Sequence, residues 1–575
     1  MTKKISVIVV CLIVAVMGLK IARKVHHHLH QPRLFEAKKI GLADVPVKHG
    51  FRIFTASSLD RIFQDGKTLE KPSFSSSVSL ASAKNAYESF QLVIDTSREQ
   101  PGVVLGFSDL TEVKTGAKIS RDNFTWRVEG YVPTIKPYYP VKFVGPWPDP
   151  LIPVKSYDIQ ANTTQPFWVD VYVPADAARG DYTAVLTVKG LNFPPRQVPV
   201  KLHVYDFTLP TESHLKTAFD FYGQNTKIRY PQDENESAST LNERLNDIND
   251  KFIIDMLKHR MNPILNLDPT SQVELSGIDR YRLFGLNNFA IGKYGGTFNN
   301  NWPKDDTSIK ALSLTYQTYG EDLKLNNLLD DTYIYTWDEG DIGNPMVPKL
   351  TAMIHHAYPG LKNMVCYHGF WDPAQNPDWG KDIDIWTFQI DDFKEDKMRQ
   401  LQKRGMEIWM YISGPSGASS PNLALDFDSI GYRIIPWICW KYDIRGFLYW
   451  CVNYWPFVDP FKDAHNSQWD QNGNGLLLYP GPDGPLDSIR VENFRDGMQD
   501  YEYIQLLLNQ LRILHSKGLE QKYKEDFDQS LKLLTMDDSI VKSMWEYTKD
   551  GDHLKARRNA IASEIEKIQS LLRTP

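Results

Sequence analysis

The chain has 575 residues, more than a single core normally organises, so two or three domains are expected. Its formal net charge of -6 leaves no basic surplus to neutralise a phosphate backbone, and nucleic acid is therefore not expected as a partner. Aromatic residues make up 12% of the chain, and ten of the 15 Trp residues fall within residues 337–469. This clustering suits either flat apolar ligand faces or dense core packing.

Residues 1–24 have the layout of an export signal, with Lys3 and Lys4 followed by a mostly apolar run over 5–19 and a second basic group from Lys20. No small-x-small cleavage site follows, so a cleaved signal peptide and an uncleaved signal-anchor both remain open. The sequence thus predicts an exported protein, either secreted, periplasmic or membrane-anchored, with its folded part outside the cytoplasm and a possible N-terminal membrane tether.

The next segment, residues 51–209, consists of short apolar runs punctuated by Pro, Gly and Asn. Runs of this length with alternating polarity predict an antiparallel β-sandwich domain. After Pro210 the pattern changes to short apolar runs that alternate with amphipathic helical stretches, which is typical of a parallel sheet wrapped by helices. We therefore place a domain boundary at residue 210.

Eight apolar runs in residues 210–487 predict the strands of a (β/α)8 TIM barrel. They lie at 216–222, 263–268, 288–294, 333–339, 363–368, 383–389, 407–413 and 446–453. A long loop rich in Asp, Asn, Gly and Pro over 454–487 is expected to line or cover the active site. The C-terminal region, residues 488–575, is charged and helical, and its apolar stripe predicts packing on the barrel. Charged residues in its first helix are expected to form structural ion pairs.

Two adjacent carboxylates, Asp338 and Glu339, close the apolar run over 333–339. Reacting groups of such barrels lie where strands end at the C-terminal face, so this pair is the leading catalytic candidate, although a solvated pair in a turn is the alternative. Neighbouring strand residues point to opposite faces, and the two groups therefore approach a substrate differently or lie on a distorted strand end. They are not two equivalent carboxylates that flank one bond.

Adjacent carboxylates suit the substrate-assisted form of glycoside hydrolysis, in which a 2-acetamido group of the sugar attacks the anomeric carbon. In this interpretation Asp338 holds the amide N–H and stabilises the charged oxazoline-like intermediate. Glu339 acts as general acid and protonates the leaving oxygen.

Several stretches carry a resemblance to glycoside hydrolase family 123, the β-N-acetylgalactosaminidases and their relatives. They are YTWDE at 335–339, IW at 385–386, WMY at 409–411, RIIPW at 433–437, GFLYW at 446–450 with Asn453 and Trp455, NGNG at 472–475, YPG at 479–481, SIRVENFRDGMQDYE at 488–502 and, more weakly, NAYESFQ at 85–91. The resemblance covers the barrel and the first C-terminal helix, and carries the family's acid onto Glu339 and its acetamide-orienting residue onto Asp338. Gly340 departs from the Pro that relatives often have, which changes the turn but not the carboxylates.

The resemblance implies a retaining β-N-acetylhexosaminidase that acts on a glycan or glycoconjugate, with N-acetylgalactosamine favoured. Two alternatives remain open: a non-catalytic carbohydrate-binding protein, and a glycosidase for a sugar that lacks an acetamide and needs a nucleophile on another strand.

Other polar and aromatic residues near predicted strand ends are candidates for binding the sugar, because an N-acetyl sugar needs an apolar box and a few fixed hydrogen-bond partners. They are Tyr411, Trp386, Tyr367, His368, Trp450 and Asn453. Core packing is the alternative for each aromatic residue, and a structural role is the alternative for His368.

No cofactor or metal is expected in the site. No predicted strand ends in a His-x-His pair, and the calcium-like start at 470–475 has Gly481 where a calcium loop needs Glu.

Overall fold

A computed structural model describes residues 43–44, 50–69, 74–292, 294–295, 302–303, 305–414, 420–455, 459–466 and 470–573. The predicted export signal at 1–24 lies outside these residues. Within the described ranges, no helix has both the length and the hydropathy needed to cross a bilayer.

The N-terminal domain is β-rich and consists of two packed sheets. One sheet is antiparallel throughout, in the order Pro146–Ile152, Phe124–Pro133, Thr163–Val173, Ala86–Thr96 and Phe51–Ser57. The other has the order Tyr157–Ile159, Gln100–Phe107, Gly180–Gly190, Phe193–Thr208 and Val78–Lys84, with Leu110–Glu112 and Lys118–Ile119 at its side. A separate short pair joins Ala43–Asp44 to Lys67–Thr68.

Alternation of apolar residues builds the core between these sheets, as the sequence predicts. In Gly180–Gly190 the buried residues are every second one from Tyr182 to Val188, and they share one cluster with residues such as Phe167 of the facing sheet. One feature differs from the antiparallel prediction, because Val78–Lys84 pairs with Phe193–Thr208 in parallel. The chain crosses between the sheets at Asn85, which has a left-handed φ of 55°, instead of turning back within one sheet.

The second domain contains a parallel seven-stranded sheet. Its order is Lys216–Phe219, Gly446–Tyr449, Glu407–Ile412, Ile385–Gln389, Asn363–Tyr367, Thr332–Asp338 and Phe289–Ala290. The remaining predicted strand, at 263–268, contributes only single bridges, from Pro263 to Phe219 and from Leu267 to Ile291. Pro263 has no N–H to donate and Asn266 has a left-handed φ of 49°, so an extended ladder cannot form there. The arrangement is roughly TIM-like, without a full set of eight strands.

Helices occupy most of the crossovers between these strands. They are Gly223–Arg229, Ala238–Lys258, Gln272–Arg282, Asp306–Leu325, Met346–Ala357, Glu395–Lys403, Ser429–Arg433 and Ile435–Tyr442, with short 3-10 turns at Leu329–Asp331 and Ile390–Asp392. A further 3-10 turn, Arg121–Asn123, lies in the β-rich domain. The crossover from Tyr367 to Ile385 is described throughout and has no helix. Its two prolines and two glycines, Pro373, Pro377, Gly369 and Gly380, oppose one.

Three helices follow the sheet, at Ile489–Ser516, Lys524–Leu534 and Gly551–Arg573, as the sequence predicts for the C-terminal region. The first begins at Ser488, whose side chain accepts a hydrogen bond from the backbone N–H of Val491. Residues 489–505 of this helix are all buried, because it lies between the β-rich domain and the parallel sheet.

Buried ion pairs join this helix to both neighbours, which confirms that its charged residues are structural. Arg490 binds Asp149 of the β-rich domain at 2.8 Å and also donates to the carbonyl oxygens of Leu423 and Gly473. Arg433, from a barrel helix, binds Asp500 at 2.7 Å. Further pairs in the same layer are Arg495–Asp170, Arg433–Asp496 and Arg558–Glu88.

Candidate active site

The end of strand Thr332–Asp338 is distorted. Its register against Asn363–Tyr367 shifts between Tyr335 and Trp337, which marks a β-bulge, and Glu339 then adopts a left-handed φ of 43°. The Glu339 N–H still donates to the Cys366 carbonyl oxygen at 2.9 Å. A non-glycine residue in this region is strained, and such strain is common at functional sites. The distortion lets adjacent carboxylates serve the same cavity with different orientations.

Asp338 is held by hydroxyl donors. Its two carboxylate oxygens accept hydrogen bonds from Tyr335, at 2.7 Å, and from Tyr294, and its side chain is only 8% exposed. Each of these tyrosines lies at the inner face of the barrel, in one cluster with Cys366 and Tyr411. Two fixed hydroxyl donors set the direction of the Asp338 carboxylate, which is what an orienting residue requires.

Glu339 reaches across the mouth of the barrel. Its Oε1 atom accepts a hydrogen bond from the Tyr411 hydroxyl at 2.7 Å, and Tyr411 lies on a strand three places along the sheet. His368 Nε2 is 3.5 Å from the same oxygen, and His368 Nδ1 is 3.1 Å from Asp392. At 20% exposed, the Glu339 side chain is more accessible than that of Asp338. Tyr411 and His368, both predicted from the sequence, therefore contact the proposed acid.

The carboxyl group of Asp338 holds a proton more readily than an ordinary aspartate does. Burial raises the pKa of Asp338 to about 7, with the charge of Glu339 adding to the effect and the tyrosine hydrogen bonds opposing it. Burial opposes protonation of His368, but its hydrogen bonds to Asp392 and Glu339 outweigh this and raise its pKa to about 10. The site thus holds an exchangeable proton near neutral pH beside a cationic imidazole.

Gly340 follows the pair, in place of the Pro expected from relatives. A Cβ atom at this position would lie 2.1 Å from Nε1 of Trp337, far inside any tolerable contact. Glycine is thus matched to the position of the Trp337 ring, and the departure from the family pattern leaves both carboxylates in the cavity.

Three predicted binding residues do not offer a surface to a sugar in this structure. Trp386 and Tyr367 are fully buried in the layer between the strands and the helices, where their rings stack at a centroid distance of 5.2 Å. Asn453 is also fully buried, and its amide bonds both the N–H and the carbonyl of Tyr222, at 2.9 and 3.0 Å. Asn453 thus joins the segment after strand Gly446–Tyr449 to the segment after the neighbouring strand Lys216–Phe219, so its observed contacts are structural.

Trp450 differs from these three because its ring is partly accessible. It follows strand Gly446–Tyr449, is partly exposed, and donates from Nε1 to Asn474 Oδ1 at 2.8 Å. Its ring lies 5.0 Å from that of Tyr454, at the start of the long loop.

Several residues of the site were not among the sequence candidates. Tyr294 and Asp220 both follow apolar barrel runs, so the strand-end rule would have found them. Asp220 is partly buried, its pKa is raised to about 7 by burial, and Asp338 adds to that shift. Asp220 is thus a third carboxylate near the pair.

The β-rich domain also contributes to the rim. Tyr138, which is 60% exposed, accepts a hydrogen bond from Gln471 of the long loop at 3.0 Å. A Cβ atom on Gly414 would lie 2.8 Å from the Tyr138 hydroxyl, so this ring stands directly beyond the strand that carries Tyr411. Nothing in the sequence pattern indicated this contact, because Tyr138 belongs to another domain.

Comparison with known families agrees with the site. The model of the glycoside hydrolase 123 catalytic domain matches residues 302–507, and that of the glycoside hydrolase 123 N-terminal domain matches residues 58–190. The chain belongs to glycoside hydrolase family 123. The family supports glycosidase activity and a glycan substrate. No curated protein sequence gives a significant match.

Among solved structures, the chain is similar to a family 123 glycoside hydrolase from Clostridium perfringens, described in connection with glycolipid glycan hydrolysis. The identity is 14%, the TM-score is 0.65, and the match covers 90% of this chain and 97% of that one, which shows a shared fold. A family 39 glycoside hydrolase from Bacteroides cellulosilyticus matches with 10% identity and a TM-score of 0.32, covering 76% and 82% of the two chains. A xyloglucanase from Bacteroides ovatus matches with 10% identity and a TM-score of 0.24, covering 73% and 98%. These last two are too distant to inform the fold.

Proposed function

We propose that this family 123 member is a retaining β-N-acetylhexosaminidase that prefers N-acetylgalactosamine and uses the 2-acetamido group of its substrate as nucleophile. The observation that carries the proposal is the unequal support of two adjacent carboxylates. Asp338 is buried and held by two tyrosine hydroxyls, whereas Glu339 is more accessible and lies between Tyr411 and His368. One group is thus built to orient, and the other to exchange a proton.

In this mechanism Asp338 accepts the acetamide N–H and turns the acetamide oxygen toward the anomeric carbon. Glu339 donates its proton to the leaving oxygen while the C–O bond to the aglycone breaks, and an oxazolinium ion forms. Water then attacks the anomeric carbon, and Glu339 takes a proton from it as the ring opens. Two inversions at the anomeric carbon give retention.

The natural substrate is proposed to be a glycoconjugate that ends in the N-acetyl sugar. The clostridial relative is described in connection with glycolipid glycans, and an exposed ring such as Tyr138 beside the site suits contact with groups beyond the cleaved bond.

One observation favours a second candidate, a glycosidase for sugars without an acetamide. Asp220 follows strand Lys216–Phe219, three places from the strand of the pair, with the chain segment at Pro263 and strand Phe289–Ala290 between them, and could serve as an enzymic nucleophile. Tyr222 hydrogen-bonds this carboxylate, and the pKa of Asp220 is raised by burial, which weakens it as a permanently ionised nucleophile.

Two measurements separate these functions. A panel of nitrophenyl glycosides should give the highest kcat/KM on N-acetylgalactosaminide, and a thiazoline mimic of the oxazoline should inhibit tightly. An Asp220→Asn variant that loses all activity but regains it with azide, together with weak thiazoline inhibition, would instead identify Asp220 as the nucleophile. Absence of hydrolysis across the whole panel would favour a carbohydrate-binding protein.

A further inference from the structure

A cluster of potential metal ligands lies away from the catalytic cavity, where helix Ala238–Lys258 meets the start of helix Ile489–Ser516. Asp255 is on the first helix, His259 follows its end, and Asp487 precedes the cap of the second helix. One ligand atom from each of the three residues lies within 4.8 Å of the others. A tetrahedral ion about 2.0–2.2 Å from each ligand atom sets these atoms roughly 3.4 Å apart, so the three side chains would close inward by up to about 1.4 Å.

The orientation of the His259 ring is fixed by one hydrogen bond. Nδ1 lies 2.9 Å from the carbonyl oxygen of Asp255, which can only accept, so Nδ1 carries the proton. Metal-binding histidines commonly donate their second ring N–H to a backbone carbonyl in this way, because it fixes the tautomer and the ring plane. The lone pair of a neutral His259 is therefore on Nε2.

Nε2 is buried and has no hydrogen-bond partner among the described residues, and His259 as a whole is only 5% exposed. Its nearest carboxylate oxygens are Glu492 Oε1 at 3.6 Å and Asp487 Oδ1 at 4.0 Å. These separations are too long for hydrogen bonds and suit atoms that share a bound ion. Oδ2 of Asp255 is a second buried atom without a hydrogen-bond partner in the described part of the chain.

The surrounding charges leave room for a cation. Arg127 binds Asp487 through Oδ2 and also binds Glu492, and Arg495 binds the other oxygen of Glu492. Asp487 Oδ1 faces His259 instead, and the only ion pair formed by Asp255 within the described ranges is with His259. Asp255 and Asp487 thus keep one oxygen each that no arginine neutralises.

A route to the cluster is present. A surface cavity of about 580 Å³ lies between this helix and the loop at 481–486, and Asp255 is part of its wall. Asp247, Asp250 and Asp483 also line it, and Lys251, Lys258 and Arg280 offset most of the negative charge of its wall.

We propose that Asp255, His259 and Asp487 bind a divalent transition-metal ion, with Zn²⁺ or Mn²⁺ as the best matched, that joins the barrel to the segment at the start of the C-terminal helix. Imidazole combined with carboxylate suits these ions, whereas calcium takes oxygen ligands only. The ion is structural, because neither Asp338 nor Glu339 is among its ligands.

The competing occupant is a proton on Nε2. Burial opposes it, but Asp255, Asp487 and Glu492 outweigh burial and raise the pKa of His259 to about 10 when no ion is bound. A metal must displace this proton, so its affinity should rise with pH.

The test compares three full-length proteins in which His26, His27, His28 and His30 are replaced by Gln, because that N-terminal cluster would bind metal itself. The first has no other change, the second carries His259→Gln, and the third carries the matched control His356→Gln. His356 is exposed, yet its Nδ1 also lies 2.7 Å from the carbonyl four residues earlier. Each is equilibrated separately with Zn²⁺ and Mn²⁺, and bound metal and Tm are measured.

The expected result is one bound ion per chain in the first and third proteins and none in the second. At roughly 100 times the dissociation constant, the ion should raise Tm by about 3 °C or more in the proteins that bind it. Equal metal content in all three, or an unchanged Tm in the first, would overturn the proposal and would favour a protonated His259 at this position.

If His259→Gln fails to fold, Asp255→Asn replaces it, with the same loss of one ion expected. Chelation at 25 °C should leave kcat/KM within about twofold, so the result does not depend on the proposed glycosidase activity.

Discussion

The different surroundings of Asp338 and Glu339 predict different kinetic defects. Glu339→Gln removes the proton donor, so it should slow hydrolysis of natural glycosides by roughly 10²–10⁴-fold while sparing nitrophenyl glycosides, whose leaving group needs little protonation. Asp338→Asn removes a contact made in the ring-closing transition state and should slow both substrate types by similar factors. The measurement is kcat/KM for both variants on a good and a poor leaving group, with folding checked first. Equal damage to both substrates in Glu339→Gln would exclude it as the acid.

Tyr335 should tune the ionisation of the pair. Its hydroxyl donates to Asp338 and lowers that pKa, so Tyr335→Phe should raise it. If Asp338 must be ionised to bind the acetamide, activity falls as pH drops through about 7 in the native enzyme. In the variant the acidic limb of the pH–activity profile should move up by about one to two pH units, because a hydrogen bond to a charged group is worth roughly 1.5–3 kcal/mol.

Tyr333→Phe is the matched control for this shift. Tyr333 lies two residues earlier on the same face of the same strand, and its hydroxyl has no hydrogen-bond partner among the residues described. Loss of the Tyr333 hydroxyl should leave the acidic limb of the pH–activity profile where it is in the native enzyme. Identical profiles for the two variants would show that Tyr335 only fills space.

The candidate carboxylates and two of their contacts, Tyr411 and His368, could be predicted because polar residues at strand ends of the C-terminal face are the usual site positions in such folds. Trp386 and Tyr367 show where that reasoning fails. Both faces of a barrel strand are apolar, so the sequence does not tell which residues point inward, and a shift of one residue exchanges the faces. The bulge beside Trp337 is such a shift, and the residue types of that strand do not predict it.

At the scale of elements, the long loop at 454–487 is more deeply buried and more extensively hydrogen-bonded than its composition suggested. Trp455, Leu477 and Tyr479 are buried, and Asn472 bonds both Ile135 of the β-rich domain and Asp426. Shortening the loop would therefore damage folding. Its proposed role in binding is better tested at the exposed rim.

Tyr138 is the position for that test. Tyr138→Ala should raise KM for an extended glycoconjugate severalfold and leave KM for a nitrophenyl monosaccharide unchanged, because an exposed ring beyond the cavity can contact only the part past the cleaved bond. Tyr138→Phe keeps the ring but loses the hydrogen bond to Gln471, and it should behave like the native enzyme. If the two variants fail alike, the hydrogen bond matters and stacking does not.

The elements themselves were predictable to different degrees. Alternation in Gly180–Gly190 and the helical stripe in Ile489–Ser516 are strong periodic signals, and both elements form where expected. The segment at 263–268 reads as a strand from composition alone, yet Pro263 and the backbone of Asn266 prevent a ladder. Long-range pairing decides such cases, and single-sequence periodicity does not contain it.

For the whole molecule, export is a prediction that rests on the N-terminal sequence. The apolar run at 5–19, with no evident cleavage site, predicts a protein found in membrane or extracytoplasmic fractions. Fractionation of the producing cells, with N-terminal sequencing of the product, measures this. Full-length protein with an intact N-terminus in the cytosol would contradict it.

Arg490 should be essential to the assembly of the two domains. Arg490→Met leaves the buried Asp149 with only the more distant cation of Arg61, at 4.0 Å, and removes the donor to several carbonyl oxygens, so it should cost about 3–5 kcal/mol in the free energy of unfolding. Arg512→Met, on an exposed part of the same helix, should change it by no more than about 0.5 kcal/mol. Thermal unfolding of both variants measures the difference, and equal losses would show that the buried pair is not special.

The buried ion pairs between the β-rich domain and the C-terminal helices also restrict how such a chain can be recombined. Cutting the chain near Pro210 would expose Asp149, Asp170 and Glu88 on one fragment, and it would leave Arg490, Arg495 and Arg558 on the other. Each fragment would carry a charged face shaped for a partner it had lost. The β-rich domain is therefore not a module that gene fusion can exchange by itself. A chimaera must keep its buried carboxylates together with the arginines of the C-terminal helices that pair with them.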